Sequence, residues 1–177
     1  MTTISDALVH IVGYDPAWPH LFETEKALLN PVLAPWLVGP IEHIGSTAVP
    51  GLSAKPVIDI MAAIESLDTS KEAIFALRGI EYQYAPYRTD VMHWFCKPNP
   101  SLRTHHLHLV PYRSRLWKER IAFRDGLRSD PALARAYSDL KHRLAEMHSS
   151  DREAYTEGKV PFIAQTLQRL VNDSSKT

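Results

Sequence analysis

Ile41-Glu42-His43-Ile44-Gly45-Ser46-Thr47-Ala48-Val49-Pro50-Gly51-Leu52-Ser53-Ala54-Lys55-Pro56-Val57-Ile58-Asp59-Ile60 is the stretch on which the fold turns. Residues 41–45 read as a strand. Residues 46–54 hold two turns built on small residues and Pro. Residues 57–64 form a nearly continuous apolar run with a single acid, Asp59. Such a run suits a strand buried on both faces, in the middle of a sheet. A Gly-Ser pair leaving a strand presents backbone N–H groups and hydroxyls, which cradle phosphate. Gly45 lets the backbone approach a ligand closely, and Lys55 adds a point charge. A carboxylate inside an apolar strand is costly unless it is paired or bound to a metal, which makes Asp59 a site candidate.

Toward the N-terminus, residues 9–12 read as a short strand. Asp15-Pro16 starts a helix carrying Trp18, Leu21, Phe22, Leu28 and Leu29, and Pro31, Pro35 and Pro40 mark the exit. Toward the C-terminus, a helix begins at Ser70, carries Ile74 and Leu77 and ends at Gly79. Strands follow at 82–84 and 91–96, a turn at 97–101, and a strand from about Thr104 to Val110. Everything after Tyr112 reads as helix. Leu116, Phe123 and Leu127 mark one segment. Asp130-Pro131 opens a second with Leu133, Tyr137, Leu140, Leu144 and Met147 on one stripe. Asp151 opens a third, interrupted at Gly158 and Pro161 and continued by Phe162, Ile163, Leu167 and Leu170. The reading is one α/β (α+β) domain: a mixed core over about 9–112 and a helical C-terminal cap over about 113–171. The cleft between them is a natural ligand site.

With 177 residues the chain has the length of one domain. Twenty Lys and Arg balance twenty Asp and Glu, which argues against general nucleic-acid binding. The single Cys96 excludes an internal disulfide and a multi-Cys zinc site and reads as a packing residue. It fits a cytoplasmic setting. No run is long and apolar enough for a membrane span, the N-terminus lacks a secretory pattern, and NDSSKT reads as a short frayed tail. Oligomeric state stays open.

Four further groups bear on chemistry. In Thr104-His105-His106-Leu107-His108, strand alternation puts His106 and His108 on one face and His105 with Leu107 on the core side. Two His at i, i+2 ligate a metal or, protonated, contact phosphate. Glu42 offers a second carboxylate if its strand neighbours that of Asp59, or else it bonds backbone or an Arg. Tyr155 and Lys159 lie one helical turn apart, an aromatic–cation pair suited to a base and a phosphate. Arg120, Arg124 and Arg128 form a basic stripe that reads as a solvated helix face or, as the second reading, an anion site.

The blocks Tyr14-Asp15-Pro16-Ala17-Trp18-Pro19, Ile41 to Leu52, Lys55 to Ile60, Thr104 to His108, Phe123-Arg124-Asp125, Leu140-Lys141 and Asp151 to Lys159 resemble the GrpB family, also written UPF0157. The resemblance implies a nucleotidyltransferase-like mixed sheet flanked by helices. It implies Gly45 and Ser46 on nucleotide phosphates and Asp59 on a divalent metal. The superfamily's second acid falls here on Met61, which is no ligand for a hard cation. The expected activity is metal-dependent nucleotidyl transfer from an NTP to a small acceptor. Asp59, Glu42 and His108 would then be catalytic. Gly45, Ser46, Thr47, Lys55, Tyr155 and Lys159 would bind the nucleotide, and Asp59, His106 and His108 would hold Mg²⁺, Mn²⁺ or Zn²⁺. The alternatives are a non-catalytic binder of a nucleotide or phosphorylated metabolite, and a His-based metal phosphoesterase.

Overall fold

The structure, a computed structural model, describes residues 8–174. The N-terminal segment read as lacking a secretory pattern lies mostly outside the described residues, as does the end of the tail. The chain runs α1 (Trp18–Leu33), β1 (Leu37–Ile44), a 3-10 turn (Ser46–Ala48), β2 (Ile58–Ile64), α2 (Ala73–Arg78), β3 (Gln83–Tyr84), β4 (His93–Pro98) and β5 (Arg103–Pro111). The helices α3 (Arg115–Ser129), α4 (Pro131–Met147), α5 (Arg152–Glu157) and α6 (Val160–Ser174) complete it.

The strands form one mixed sheet ordered β1-β2-β5-β4-β3. β2 pairs antiparallel with β1 and parallel with β5, so the apolar run around Asp59 has a neighbour on each side. Burial of Ile58, Ile60, Met61, Ala62, Ala63 and Ile64 agrees with a strand covered on both faces. On the back face, Ile58, Ile60, Ala62, Leu107 and Leu109 pack against Trp18, Phe22, Leu29 and Leu33 of α1 and Leu77 of α2. On the front face, Ile44, Met61, Ala63 and Val110 pack against Leu116 and Trp117 of α3. Leu127, Leu133 and Tyr137 then tie α3 and α4 to Val49 and Leu52 beyond the 3-10 turn. The cap is therefore joined to the loop that carries the Gly-Ser pair.

Several local expectations change. Residues 9–12 form no strand, only the single bridge Val12–Ala54. α1 passes through Pro31 to Leu33. Its buried stripe is Trp18, Phe22, Glu25, Leu29 and Leu33, while Leu21 and Leu28 face solvent. β1 begins at Leu37 and passes through Pro40, which an edge strand tolerates because one row of its N–H groups needs no partner. The expected turn at 97–101 starts later, since β4 continues to Pro98. α2 starts at Ala73, after a turn in which Ser70 Oγ donates to Ser66 O. Asp130 and Asp151 cap α4 and α5 as expected. Met147 ends α4 65 % exposed, off the buried stripe. α6 starts at Val160, so Pro161 lies in its first turn, where Pro is tolerated, and the expected tail is helical to Ser174. No described helix is long and apolar enough to cross a membrane.

Candidate anion-binding site

Asp59 lies on β2 between Ile44 of β1 and His106 of β5. Gly45 follows Ile44 directly, with φ of +71°. A Cβ on Gly45 would stand 2.5 Å from Asp59 Oδ2. Glycine is required there twice over: by the left-handed backbone and by the carboxylate packed against it. The Gly-Ser turn and the strand acid are thus one object.

Strand alternation brings Asp59, His106 and His108 to the front face. His106 Nδ1 is 2.9 Å from Asp59 Oδ1, so the ring donates to the carboxylate there. His108 Nε2 is 3.8 Å from the same oxygen, too long for a hydrogen bond, and its Nδ1 lies 3.4 Å from Met92 Sδ. Burial would raise the Asp59 pKa. The His106 hydrogen bond and the neighbouring His108 imidazole outweigh it and hold the carboxyl well below its usual range. The Asp59 side chain keeps 29 % of its surface exposed, so the carboxylate borders an opening. Burial, followed by the positive charge of Arg120, lowers the His108 pKa to about 4 and leaves the ring neutral.

The cap supplies cations. Lys55 Nζ and Lys159 Nζ lie 4.9 and 4.5 Å from the Tyr155 ring centre. The aromatic–cation pair expected from sequence is therefore present, although Lys159 sits in the break between α5 and α6. Burial lowers the Lys159 pKa to about 8, and the nearby charges of Lys55 and Arg120 add to this while Asp59 opposes it. Arg120 of α3 is also shifted down, by burial first, with Asp59 as its main opposing charge. Deeper in α4, Lys141 donates to Ser53 O and lies over the Tyr137 ring; burial, then Lys159, lowers its pKa to about 7. The Ser46 hydroxyl neighbours that of Tyr137, whose own pKa burial raises.

Arg120 Nε, His106 Nε2 and His108 Nε2 are all buried without a hydrogen-bond partner. Buried polar atoms are nearly always satisfied, so three such atoms in one neighbourhood describe a place shaped for something else.

Other expected residues go elsewhere. Glu42 Oε2 accepts from Arg124 Nη1 at 2.7 Å, and so is neutralised rather than shared with Asp59. Thr47 Oγ1 donates to Val57 O at 3.2 Å and lies 2.9 Å from His43 Nε2, so its hydroxyl serves the fold. His105 turns to the back face, 3.8 Å from Glu25 of α1. The Arg stripe is not a solvated face: Arg124 is buried and also donates to His43 O, and Arg128 Nε donates to Ala48 O. Cys96 is buried, and burial pushes its thiol up, consistent with a packing role. Tyr137 and Lys141 are site-lining residues that the pattern did not single out, and Arg120 follows the second reading of its stripe, an anion site. Arg120 faces inward because its helix packs its Leu116 and Trp117 face on the sheet.

The donor set does not fit a divalent ion. Asp59 Oδ1 is held by His106, Glu42 is held by Arg124, and Met61 is fully buried in the front core. Among the described residues no three His, Cys, Asp or Glu side chains converge as ligands. Hard cations need several oxygen donors around one point. The arrangement suits an anion instead.

Comparison with known proteins gives one family. A family model described as "GrpB protein" matches residues 8–169. A UPF0157 protein of Pseudomonas aeruginosa, PA4798, is 39 % identical over 170 residues, covering 94 % of this chain and 69 % of the relative. The glutamate-rich protein GrpB of Alkalihalophilus pseudofirmus is 33 % identical over 175 residues, covering 96 % of this chain and all of the relative. The crystal structure of GrpB from Enterococcus faecalis superposes with a TM-score of 0.83 at 31 % identity, over 93 % of this chain and 99 % of that one.

Proposed function

The chain belongs to the GrpB family, and from that premise we propose that it binds a nucleotide or phosphorylated metabolite in the cleft over Asp59, through cationic side chains and without a resident metal. The observation that carries this reading is an imbalance of charge. Asp59 is the carboxylate beside Lys159 and Arg120, and the pKa values of both cations are depressed because burial is not offset by enough negative charge. A buried cation without its counter-ion is costly, and a bound polyanion removes that cost. Ser46 and the Tyr137 hydroxyl add neutral contacts at the foot of the cleft. Gly45 keeps the turn close enough for them to reach in.

Binding is the step that the donors support. Metal-assisted transfer needs oxygen ligands that Met61 and the neutralised Glu42 do not supply. Asp59 acts as a positioning group: it holds the His106 ring through Nδ1. We infer a cytoplasmic setting, in which the lone buried Cys96 stays a thiol.

Calorimetric titration with inorganic tripolyphosphate tests the reading. It is run in EDTA and in Mg²⁺, on the wild type and on Asp59→Asn. Binding in EDTA is expected. In Asp59→Asn it is expected to be as tight or tighter, because the substitution removes the repelling charge and keeps a partner for His106. Binding that needs Mg²⁺ and vanishes in Asp59→Asn would overturn the reading and restore a metal-dependent one.

A further inference from the structure

The front face does not end at His106. Trp94 of β4 pairs with His108 in the sheet register, and its ring lies 5.0 Å from the His106 ring. Tyr87, in the loop between β3 and β4, meets Trp94 edge-on at 6.3 Å. The Arg103 guanidinium lies 5.5 Å from the Trp94 ring centre on the other flank. Asp59, His106, Trp94 and Tyr87 thus make a path across the sheet, from the carboxylate to an aromatic wall.

Trp94 packs against the edge of the front core, but packing does not account for the whole wall. Trp94 is half-buried, and Tyr87 is 51 % exposed on a loop. The residue after Tyr87, Arg88, takes the left-handed backbone at φ +48°, a conformation uncommon outside Gly and Asn. The wall is connected to the anion site through His106, whose ring lies 5.0 Å from that of Trp94 and whose Nδ1 lies 2.9 Å from Asp59 Oδ1. One imidazole joins the place where phosphate would sit to the place where flat surface is on offer.

We propose that the ligand of this cleft carries a flat aromatic ring, seated against Trp94 between Tyr87 and Arg103, with its phosphates on Lys55, Lys159 and Arg120. The inference rests on the phosphate reading above and narrows it, from phosphorylated metabolites in general to nucleotide-like ones. Every nucleobase offers a π-face, so stacking supplies affinity with little base preference.

The test compares ATP, GTP, CTP and UTP with inorganic tripolyphosphate, all by calorimetry in EDTA. The proteins are the wild type, Trp94→Leu, Trp94→Phe and Tyr87→Ala. The wild type is expected to bind at least one nucleoside triphosphate about tenfold or more tighter than tripolyphosphate, the span that one stacked base supplies. Trp94→Leu and Tyr87→Ala should remove most of that difference and leave tripolyphosphate binding unchanged, and Trp94→Phe should restore it. Equal binding of nucleotides and tripolyphosphate to the wild type overturns the inference and spares the phosphate reading. So does equal weakening of both probes by the variants. Failure of every probe to bind the wild type overturns both. If Trp94→Leu does not fold, Tyr87→Ala, on an exposed loop, decides alone.

Discussion

Two polar clusters lie beneath the helices of this protein, one on each face of the sheet, and they are closed to different degrees. On the back face Glu25 of α1 accepts from Lys97 Nζ at 2.9 Å, with His105 3.8 Å from its second oxygen. Lys97 also lies over the Tyr82 ring. An acid and a base meet there almost out of contact with water, and the charge is neutral within the protein. The buried Tyr82 hydroxyl there lacks a hydrogen-bond partner, but the charge is balanced. On the front face Asp59 has a His partner, yet Lys159 and Arg120 share its surroundings and Arg120 Nε, His106 Nε2 and His108 Nε2 lack partners. Burial is similar on the two sides; closure is not. A closed cluster explains itself as architecture, whereas an open one needs a further component.

The comparison breaks first, and with the largest effect, at Glu25. Glu25→Ala leaves Lys97 buried without its counter-charge, and removal of one partner from a buried pair costs about 3–5 kcal/mol. Urea unfolding should show a loss of that order. The double variant Glu25→Ala with Lys97→Met should recover much of it, since no lone charge then remains. A loss below about 1 kcal/mol would mean that the back cluster is not closed as described.

How much of this was legible in the sequence differs between the two faces. The central strand was readable because a run of apolar β-formers around one acid has few other homes, and the Gly45–Asp59 link lies within a single short stretch. The alternation of His106 and His108 was readable because strand periodicity is rigid. The back cluster was not, because Glu25, Lys97 and His105 come from three distant segments and only the crossing of α1 over β4 and β5 joins them. For the same reason Arg120 could not be told from a solvated residue. The direction of a basic stripe is set by which face of α3 the sheet buries, and Leu116 and Trp117 decide that. The condition attached to Glu42, that its strand neighbours that of Asp59, is met. Its capture by Arg124 depended on the same unseen helix orientation. Met147 and Leu28 fit a helical stripe by spacing but sit where no neighbour covers them.

A pH scan sharpens the comparison, because each face holds one buried neutral imidazole. His43, on the back, stacks on Phe22 at 4.8 Å and has its pKa lowered to about 4, by burial first and then by Arg128 and Arg124 against Asp59. His108, on the front, is lowered to about 4 as well. A base with a depressed folded pKa binds fewer protons folded than unfolded between its two pKa values, so stability rises with pH across that window. Both contributions are complete above pH 6.5 and are lost as pH falls toward 4. Together they amount to about 7 kcal/mol at most, at about 1.4 kcal/mol per tenfold change in proton affinity for each ring. Melting temperatures should therefore hold from pH 7.5 to about 6.5 and fall from there to pH 4.5. His108→Gln should flatten only part of the slope, because His43 supplies the rest. A melting temperature constant over that range would show that neither ring is held neutral.

The smallest expected change is the most discriminating. Lys159→Met removes a half-buried cation that burial, Lys55 and Arg120 all disfavour. The methionine chain can replace the lysine stem against the Tyr155 ring, and thioether–aromatic contacts are favourable. The variant should be as stable as the wild type or more stable, by less than about 1 kcal/mol. Since the lowered pKa of Lys159 is about 8, any gain should be largest below pH 8 and should vanish as pH rises toward the ordinary lysine range. Stabilisation by tripolyphosphate should move the opposite way. A ligand that binds only the folded state raises the melting temperature with its concentration, and this rise should be much smaller in Lys159→Met. Glu25→Ala, where it still folds, should keep the full rise, because the back cluster does not touch the ligand. If Lys159→Met were instead destabilised by several kcal/mol, Lys159 would be satisfied within the fold. The front cluster would then be as closed as the back one, and the argument from its open charge would fail.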